Sequence, residues 1–312
     1  MKGNSTRAND IPENPLPRGA AVAFGFFDGL HLGHQQLMQR LFEISDANTY
    51  TSIVYTFSNH PLSVLGNGHP PMLFTPEEKW QALHAYGVEH VCMVPFTREI
   101  AETEYDIFIK NLMRTIPIHD IVIGFNYRMG KDRAGTPERL AVLGKALGFS
   151  VHVVEPVIYQ GGPISSTRIR ECIQAGDLKD ANNMLGRPYA VCGNVGNGCR
   201  LGSRIGFPTA NIPYSPDKVI VPNGVYVTEA CIGQTTYMAV TNVGRRPTVS
   251  DQGNITIEAH LLDFCGDIYG KTIEIRFLDK LREERAFDSI AELRSQISRD
   301  ILQARKTVAL KP

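Results

Sequence analysis

Two hydrophobic patterns follow one another along this chain of 312 residues. In the first half, short apolar runs alternate with segments whose apolar residues recur every three or four positions. The runs Ala20–Phe24, Thr51–Phe57, His90–Val94, Asp120–Gly124 and Val151–Val154 read as buried strands. Between them, Gln35–Phe42, Thr75–Tyr86, Tyr105–Arg114 and a segment from Thr136-Pro137 to near Gly148 have helical spacing. Thr75-Pro-Glu-Glu78 is a strong start signal: an N-cap threonine, proline at the first helical position, and a glutamate that closes a capping box. Strands alternating with helices predict a doubly wound parallel sheet with ligands at the carboxyl ends of its strands.

The pattern changes near Leu185. Short strands separated by Gly, Pro and Asn turns are expected near Ala190–Val195, Val225–Ile232, Tyr237–Val243, Ile255–Phe264 and Thr272–Phe277. No helix intervenes, which is the pattern of an antiparallel barrel or sandwich. A helix returns at the end: Ser289-Ile-Ala-Glu292 reads as a second capping box, followed by Leu293, Ile297 and Ile301 at four-residue spacing. Two domains follow, 1–184 and 185–312, after a polar lead-in that ends near Gly19.

Composition narrows the class. Basic and acidic residues balance at 32 each, and 43% of residues are hydrophobic, as in a globular protein. Zero net charge argues against a general electrostatic grip on nucleic acid or an anionic membrane, while a local basic pocket remains compatible with it. The 6 cysteines are scattered without a Cys-x-x-Cys pair and read as free thiols in a reducing compartment. No apolar run is long enough to cross a bilayer, and the N-terminus lacks the apolar core of a signal peptide. The expectation is a cytoplasmic protein that binds small molecules, with homo-oligomer formation left open.

Candidate chemistry gathers where strands end. Ala20–Phe24 runs into a turn with Gly25, Asp28 and Gly29, then into His31-Leu-Gly-His34 at the start of the first helix. A helix N-terminus offers unpaired N–H groups and the positive end of a dipole, so it suits phosphate. His31 and His34 share one side of that first turn and can donate to phosphate oxygens. Gly33 lets a ligand approach the backbone. Ile164-Ser-Ser-Thr-Arg-Ile-Arg170 follows the last strand of this half and opens another helix. Its Ser165, Ser166, Thr167 and Arg170 can form a second phosphate cradle or, for the serines, plain N-caps. Asn126, in Gly124-Phe-Asn-Tyr-Arg-Met-Gly130 after the fourth strand, is either a nucleotide contact or a turn residue.

These stretches resemble the bifunctional bacterial riboflavin kinase/FMN adenylyltransferases, the FAD synthetases. The likeness runs from about Ala20 to about Arg305. Its first-half motifs are Gly25-x-Phe27-Asp28-Gly29-x-His31-x-Gly33-His34, Thr56-Phe57-x-x-His60-Pro61, Gly124 to Gly130, and Ser165-Ser166-Thr167-x-x-Arg170. Its second-half motifs are Gly206-Phe207-Pro208-Thr209-Ala210-Asn211, Gly224-Val-Tyr226, Gly244-x-Arg246-Pro-Thr248, Glu258-x-His260-x-x-Asp263-Phe264 and Leu281-Arg282-x-Glu284. His-x-Gly-His alone also occurs in other nucleotidyltransferases and in some aminoacyl-tRNA synthetases. Both sets in this order are far more specific.

The resemblance implies a Rossmann-like nucleotidyltransferase domain, then an antiparallel β-barrel flavokinase domain with a C-terminal helix. The first would bind ATP with Mg²⁺ and transfer AMP to FMN, giving FAD and pyrophosphate. The FMN phosphate is already an anion, so no protein base is needed. His31, His34, Ser166 and Arg170 would position and stabilise charge at the α-phosphate. The second domain would move the γ-phosphate of ATP to riboflavin. Its nucleophile is a neutral hydroxyl, so a base is useful, and Glu258 matches the family's base. Thr209 and Asn211 match the Mg²⁺-binding pair, and Arg282 would contact nucleotide or flavin.

The sequence departs from the family pattern at several places. Phe26 stands where many members have Asn. Ser58-Asn59 replaces Glu-Pro, Phe125-Asn126-Tyr127 replaces Glu-Asp/Asn-Phe, and Gly202-Ser203-Arg204 replaces Gly-Arg-x. A protein with one live activity, or a flavin-sensing regulator, are the alternative readings.

Overall fold

The structure is a computed structural model that describes residues 18–66, 68–196, 202, 205–245 and 255–309. It forms two compact units that part between Ser166 and Thr167.

The first unit is a five-stranded parallel sheet: β1 (Ala20–Phe24), β2 (Thr51–Phe57), β3 (His90–Val94), β4 (Ile118–Gly124) and β5 (Ser150–Val154), in the order β3-β2-β1-β4-β5. The helices are α1 (Leu32–Asn48), α2 (Leu62–Leu65), α3 (Pro76–Ala85), α4 (Arg98–Glu102), α5 (Tyr105–Leu112) and α6 (Pro137–Leu147). A small hairpin, β6 (Ile158–Tyr159) with β7 (Gly162–Pro163), follows. Alternate residues of one strand enter opposite cores. Ala21 and Ala23 join Leu37, Met38, Leu41 and Leu83 on one face, while Ala20, Val22 and Phe24 join Ile109, Leu140 and Phe149 on the other. Both faces are therefore covered, and this is why these strands read as unbroken apolar runs. The strand order reverses between β1 and β4, so the switch point at which such sheets bind ligands lies at the carboxyl end of β1.

The second unit begins with α7 (Ser166–Ala175), whose first residue still belongs to the first unit, and α8 (Leu178–Leu185). Then come β8 (Tyr189–Asn194), β9 (Ala210–Ile212), β10 (Gly224–Ile232), β11 (Thr235–Arg245), β12 (Ile255–Leu261), β13 (Thr272–Arg282) and α9 (Ile290–Ala309). The strands form one antiparallel sheet, ordered β8-β13-β10-β11-β12-β9. A bridge between Gly196 and Asn211 joins its two edges, so the sheet curls into a half-barrel. Helix α9 packs Ala304 and Ile301 against Val225, Val227 and Val240.

Several boundaries differ from the sequence reading. β9 was not read, because three residues after a proline are too few to show a period. β12 stops at Leu261 rather than Phe264, and Asp263 then takes a left-handed φ of 57° that a strand cannot hold. β13 continues to Arg282, with register shifts against β10 at Val225/Tyr226 and Val227/Thr228. The capping box at Thr75 is complete. At Ser289 only half of one forms: Ser289 Oγ accepts from the Glu292 N–H, but Glu292 reaches back to the Asp288 N–H instead. The described cysteines, Cys92, Cys172, Cys192, Cys231 and Cys265, are free thiols.

Candidate active sites

The turn from β1 to α1 is built under strain. Gly25 is followed by Phe27 and Leu30, which both take left-handed φ values of 53° and 41°, with Gly29 at 78° between them. Left-handed non-glycine residues cost about 1–3 kcal/mol each and persist only where surrounding contacts hold them. Here the contacts are identifiable. The Phe27 ring packs so closely over Gly25 that a Cβ there would lie 2.7 Å from it. Thr56 of β2 donates to the Phe26 carbonyl at 3.0 Å, and Gln35 of α1 donates to the Leu30 carbonyl at 3.0 Å. Asp28 is 1% exposed, and its carboxylate accepts from the Leu73 and Phe74 N–H groups at 2.9–3.0 Å, just before α3. Ser166 donates to the Asp28 carbonyl at 3.0 Å.

His31 is the N-cap of α1, its Nδ1 accepting from the His34 N–H at 3.3 Å. An accepting Nδ1 puts the proton of a neutral ring on Nε2, a donor position. The two rings stack with centroids 3.6 Å apart, and Phe27 meets His34 edge-on. A side chain at Gly33 would crowd the His31 ring at 3.3 Å. His34 is held well below the ordinary histidine pKa, first by burial and then by His31 and Lys79. It is therefore neutral at neutral pH, and its Nδ1 is buried with no hydrogen-bond partner among the described residues. Two stacked imidazoles at the head of a helix can supply donors to an anion.

The other first-half residues are placed as follows. Ser166 begins α7, and Arg170 lies one turn further along that helix, 8% exposed. Ser165 is half-buried and Thr167 exposed. Asn126 is exposed in the turn that closes β4, where the Tyr127 N–H bonds the Gly124 carbonyl. Asn59, one of the departures from the family pattern, exchanges hydrogen bonds with the Phe96 backbone and so ties the end of β2 to the loop after β3. Sequence reasoning missed Lys79. It is fully buried on α3, and its pKa is lowered by burial to about 7 against an opposing pull from Asp28. A signal was present: Lys79 lies four residues before Leu83, on the apolar side of a strongly capped helix.

In the second unit the candidates lie across adjacent strands. Asn211 of β9 pairs with Glu258 of β12, and Glu258 pairs with Asn242 of β11. Residues in register share a sheet face, so these three side chains stand in one row. Ile257, Ala259 and Leu261 are buried while Thr256, Glu258 and His260 are half-buried, as the alternation requires. Asn242 donates to Glu284 at 3.0 Å. Gly206 is exposed at a φ of 89°, and the Phe207 N–H bonds the Gly202 carbonyl at 2.8 Å. A Cβ at Gly202 would strike the Phe207 carbonyl at 2.3 Å and lie 3.4 Å from the Thr209 hydroxyl. His260 bonds the Pro208 carbonyl at 2.8 Å and meets the Phe207 ring edge-on, pinning the Gly206–Asn211 stretch. Arg282 makes a two-pronged ion pair with buried Asp300 of α9, at 2.8–3.1 Å, and also donates to the Glu283 carbonyl. Its guanidinium is thus committed to holding α9 on the sheet. Ser203, Arg204 and the stretch Arg246-Pro-Thr248 lie outside the described residues.

A parallel α/β unit with paired histidines at its switch point, followed by a curled antiparallel sheet with a carboxylate on its polar face, defines a two-module phosphate-transfer architecture. Comparison with known proteins gives it a family. The family model described as FAD synthetase matches residues 13–168, and the one described as riboflavin kinase matches residues 185–308. The bifunctional riboflavin kinase/FMN adenylyltransferase of Bacillus subtilis is 35% identical over 91% of this chain and 91% of its own length. Those of Listeria monocytogenes, 34% over 89% of each, and Escherichia coli K12, 35% over 94% of each, are similarly related. A solved structure from Streptococcus pneumoniae, described as a macrolide-efflux protein, is 32% identical with a TM-score of 0.85, covering 93% of this chain and 94% of its own. Among the described residues no helix is long and apolar enough to cross a membrane. The chain belongs to the family of bifunctional riboflavin kinase/FMN adenylyltransferases.

Proposed function

We propose that this chain makes FAD from riboflavin in two steps: phosphorylation of riboflavin by ATP in the second module, and adenylylation of FMN with release of pyrophosphate in the first. The observation that carries the reading is the contrast between the sites. One offers neutral donors to an anion, and the other offers a carboxylate within reach of hard oxygen ligands.

In the first module, His31 and His34 donate to the α-phosphate of ATP as charge builds there, with Arg170 and the hydroxyls of Ser165, Ser166 and Thr167 on the remaining phosphate oxygens. Gly25, Phe27, Asp28 and Gly29 shape the turn, and Asn126 contacts the nucleotide. In the second module, Glu258 takes the proton of the riboflavin hydroxyl. Gly206, Phe207 and Pro208 line the nucleotide or flavin.

The donor set there suits Mg²⁺. The Thr209 hydroxyl and the Asn211 amide oxygen are hard oxygen ligands, and the bare Gly202 leaves space beside the Thr209 hydroxyl. Among the described residues no three His, Cys, Asp or Glu side chains gather into a cage, so phosphate oxygens and water would complete the shell. When bound, the ion neutralises charge on the transferred phosphoryl group. Thr209 and Asn211 would hold and orient it, and Glu258, next to Asn211 in the row, would take the proton. We place both activities in a cytoplasmic protein.

The test incubates purified chain with riboflavin or FMN, ATP and Mg²⁺, and resolves FMN and FAD by chromatography. Both products are expected from riboflavin, and FAD from FMN. FMN alone from riboflavin would leave a kinase. FAD from FMN but nothing from riboflavin would leave an adenylyltransferase. Flavin binding without turnover would favour a regulator.

A further inference from the structure

Lys79 takes no part in the chemistry above, yet it is fully buried beside it. Its ammonium donates to the Phe57 carbonyl, the last of β2, at 2.9 Å, and lies 3.6 Å from the centroid of the Phe26 ring. Phe57 and Phe26 stand at the carboxyl ends of β2 and β1, where sheets of this kind bind ligands. Asp28 of the turn and His34 of α1 are the titratable groups that feel its charge. β2 turns a carbonyl towards it, and the turn adds an aromatic face.

A buried position on the core side of a helix is ordinarily filled by leucine or methionine, because burying an ammonium costs desolvation. Asp28 acts on the ammonium as a neighbouring charge. The Asp28 oxygens accept from the Leu73 and Phe74 N–H groups. The Phe57 carbonyl takes one of three ammonium protons. Without Lys79 the turn would hold one buried carboxylate, directly adverse to bound phosphates. With it, the buried charges cancel, and the helix dipole and histidine donors act on the nucleotide unopposed.

We propose that Lys79 is a positioning residue of the adenylyl-transfer site: a buried counter-cation that offsets Asp28 beneath the nucleotide phosphates and fixes the Phe26–Phe57 rim. The inference rests on the adenylyltransferase reading. Phe26, the departure from asparagine at this place, covers the ammonium with a ring that neither donates nor accepts.

The test uses the full chain with Lys79→Met, which keeps length without charge, and Lys79→Arg, which keeps charge. Lys79→Met should lower kcat for FAD formation from FMN by about 10²-fold, the scale of a misplaced reacting group, with KM for FMN nearly unchanged. Lys79→Arg should recover most of the loss. In the parent, kcat/KM for ATP should fall as pH rises through about 7, where buried Lys79 loses its proton. Lys79→Arg should move that limb to higher pH, and Lys79→Met should lack it. With isotope-labelled histidine, NMR should show His34 titrating at higher pH in Lys79→Met, because a neighbouring cation has gone. A folded Lys79→Met with the parent's kcat and pH profile overturns the inference. If Lys79→Met does not fold, an alkaline limb unmoved in Lys79→Arg overturns it instead. A parent that makes no FAD overturns the adenylyltransferase reading, and this inference with it.

Discussion

In the first module the polar groups lie under a strained turn and out of water. Asp28 is 1% exposed, His31 6% and Lys79 0%, and each is fixed by backbone partners drawn from different elements. In the second module Asn211, Glu258 and Asn242 stand half-buried in a row across three strands. On the proposed roles of these residues, the difference follows the nucleophile. FMN phosphate is an anion before it arrives, so its site needs donors whose direction is set in advance, and burial under a turn provides that. Riboflavin presents a neutral hydroxyl, so its site needs a group that can take a proton, and a carboxylate on a partly wetted face serves.

The contrast breaks most sharply at Glu258. Replacing it with Gln keeps the size and hydrogen bonding but removes the base, so riboflavin phosphorylation should fall by about 10²–10⁴ while FAD formation from supplied FMN persists. Chromatography of both products in one preparation checks it, with circular dichroism as folding control. A Glu258→Gln protein that still makes FMN at the parent rate would reduce Glu258 to a residue of the strand's polar face.

The mirror experiment is His31→Ala or His34→Ala. On the proposed roles each would remove a donor from the transition state and should lower FAD formation by about 10²–10³ with FMN formation retained. Equal loss of both activities would point to misfolding rather than chemistry.

Modularity is sharpened by two fragments. The family matches leave 169–184 unassigned, and α7 and α8 fill that gap. Leu178, Ala181 and Met184 of α8 are buried, and Asn182 bonds both the Phe277 carbonyl and the Tyr189 N–H. A fragment from Thr167 should therefore fold and phosphorylate riboflavin. One from Leu185 should be less stable by about 3 kcal/mol, since a buried Leu or Met contributes about 1.5–3 kcal/mol each. Denaturant titration of both fragments compares them, and equal midpoints would put the kinase boundary at Leu185.

The smallest effect is expected at Thr75. Thr75→Ala removes a complete capping box from α3, costing about 1 kcal/mol. It should lower the melting temperature slightly and, through Asp28 and Lys79, touch FAD formation but not FMN formation. A matched fall in both products would show that α3 serves the whole chain rather than one site.

Most of the fold was legible. β1, β2 and β3 begin and end where the sequence reading puts them, because strands buried on both faces are dominated by apolar residues. Thr75 and Thr136 mark their helices by chemistry confined to four residues. The edge strand β9 was not legible, since its pairing with β12 is a long-range matter that three residues cannot announce. In the site, the histidine pair could be read from a local strand–turn–helix motif. For Lys79 the sequence carried only its place on the apolar side of a capped helix, because its contacts with the Phe57 carbonyl and the Phe26 ring are long-range.

The sequence by itself determined the two periodicities, the change between them, and the motifs that sit within single turns, for each depends on neighbours a few bonds away. The tertiary structure alone decided what crosses between elements. It paired Arg282 with Asp300, set Asn242 beside Glu258, and buried the ammonium of Lys79 against the Phe57 carbonyl and the Phe26 ring. Burial, register and charge coupling are properties of surfaces brought together, and no local pattern of residues carries them.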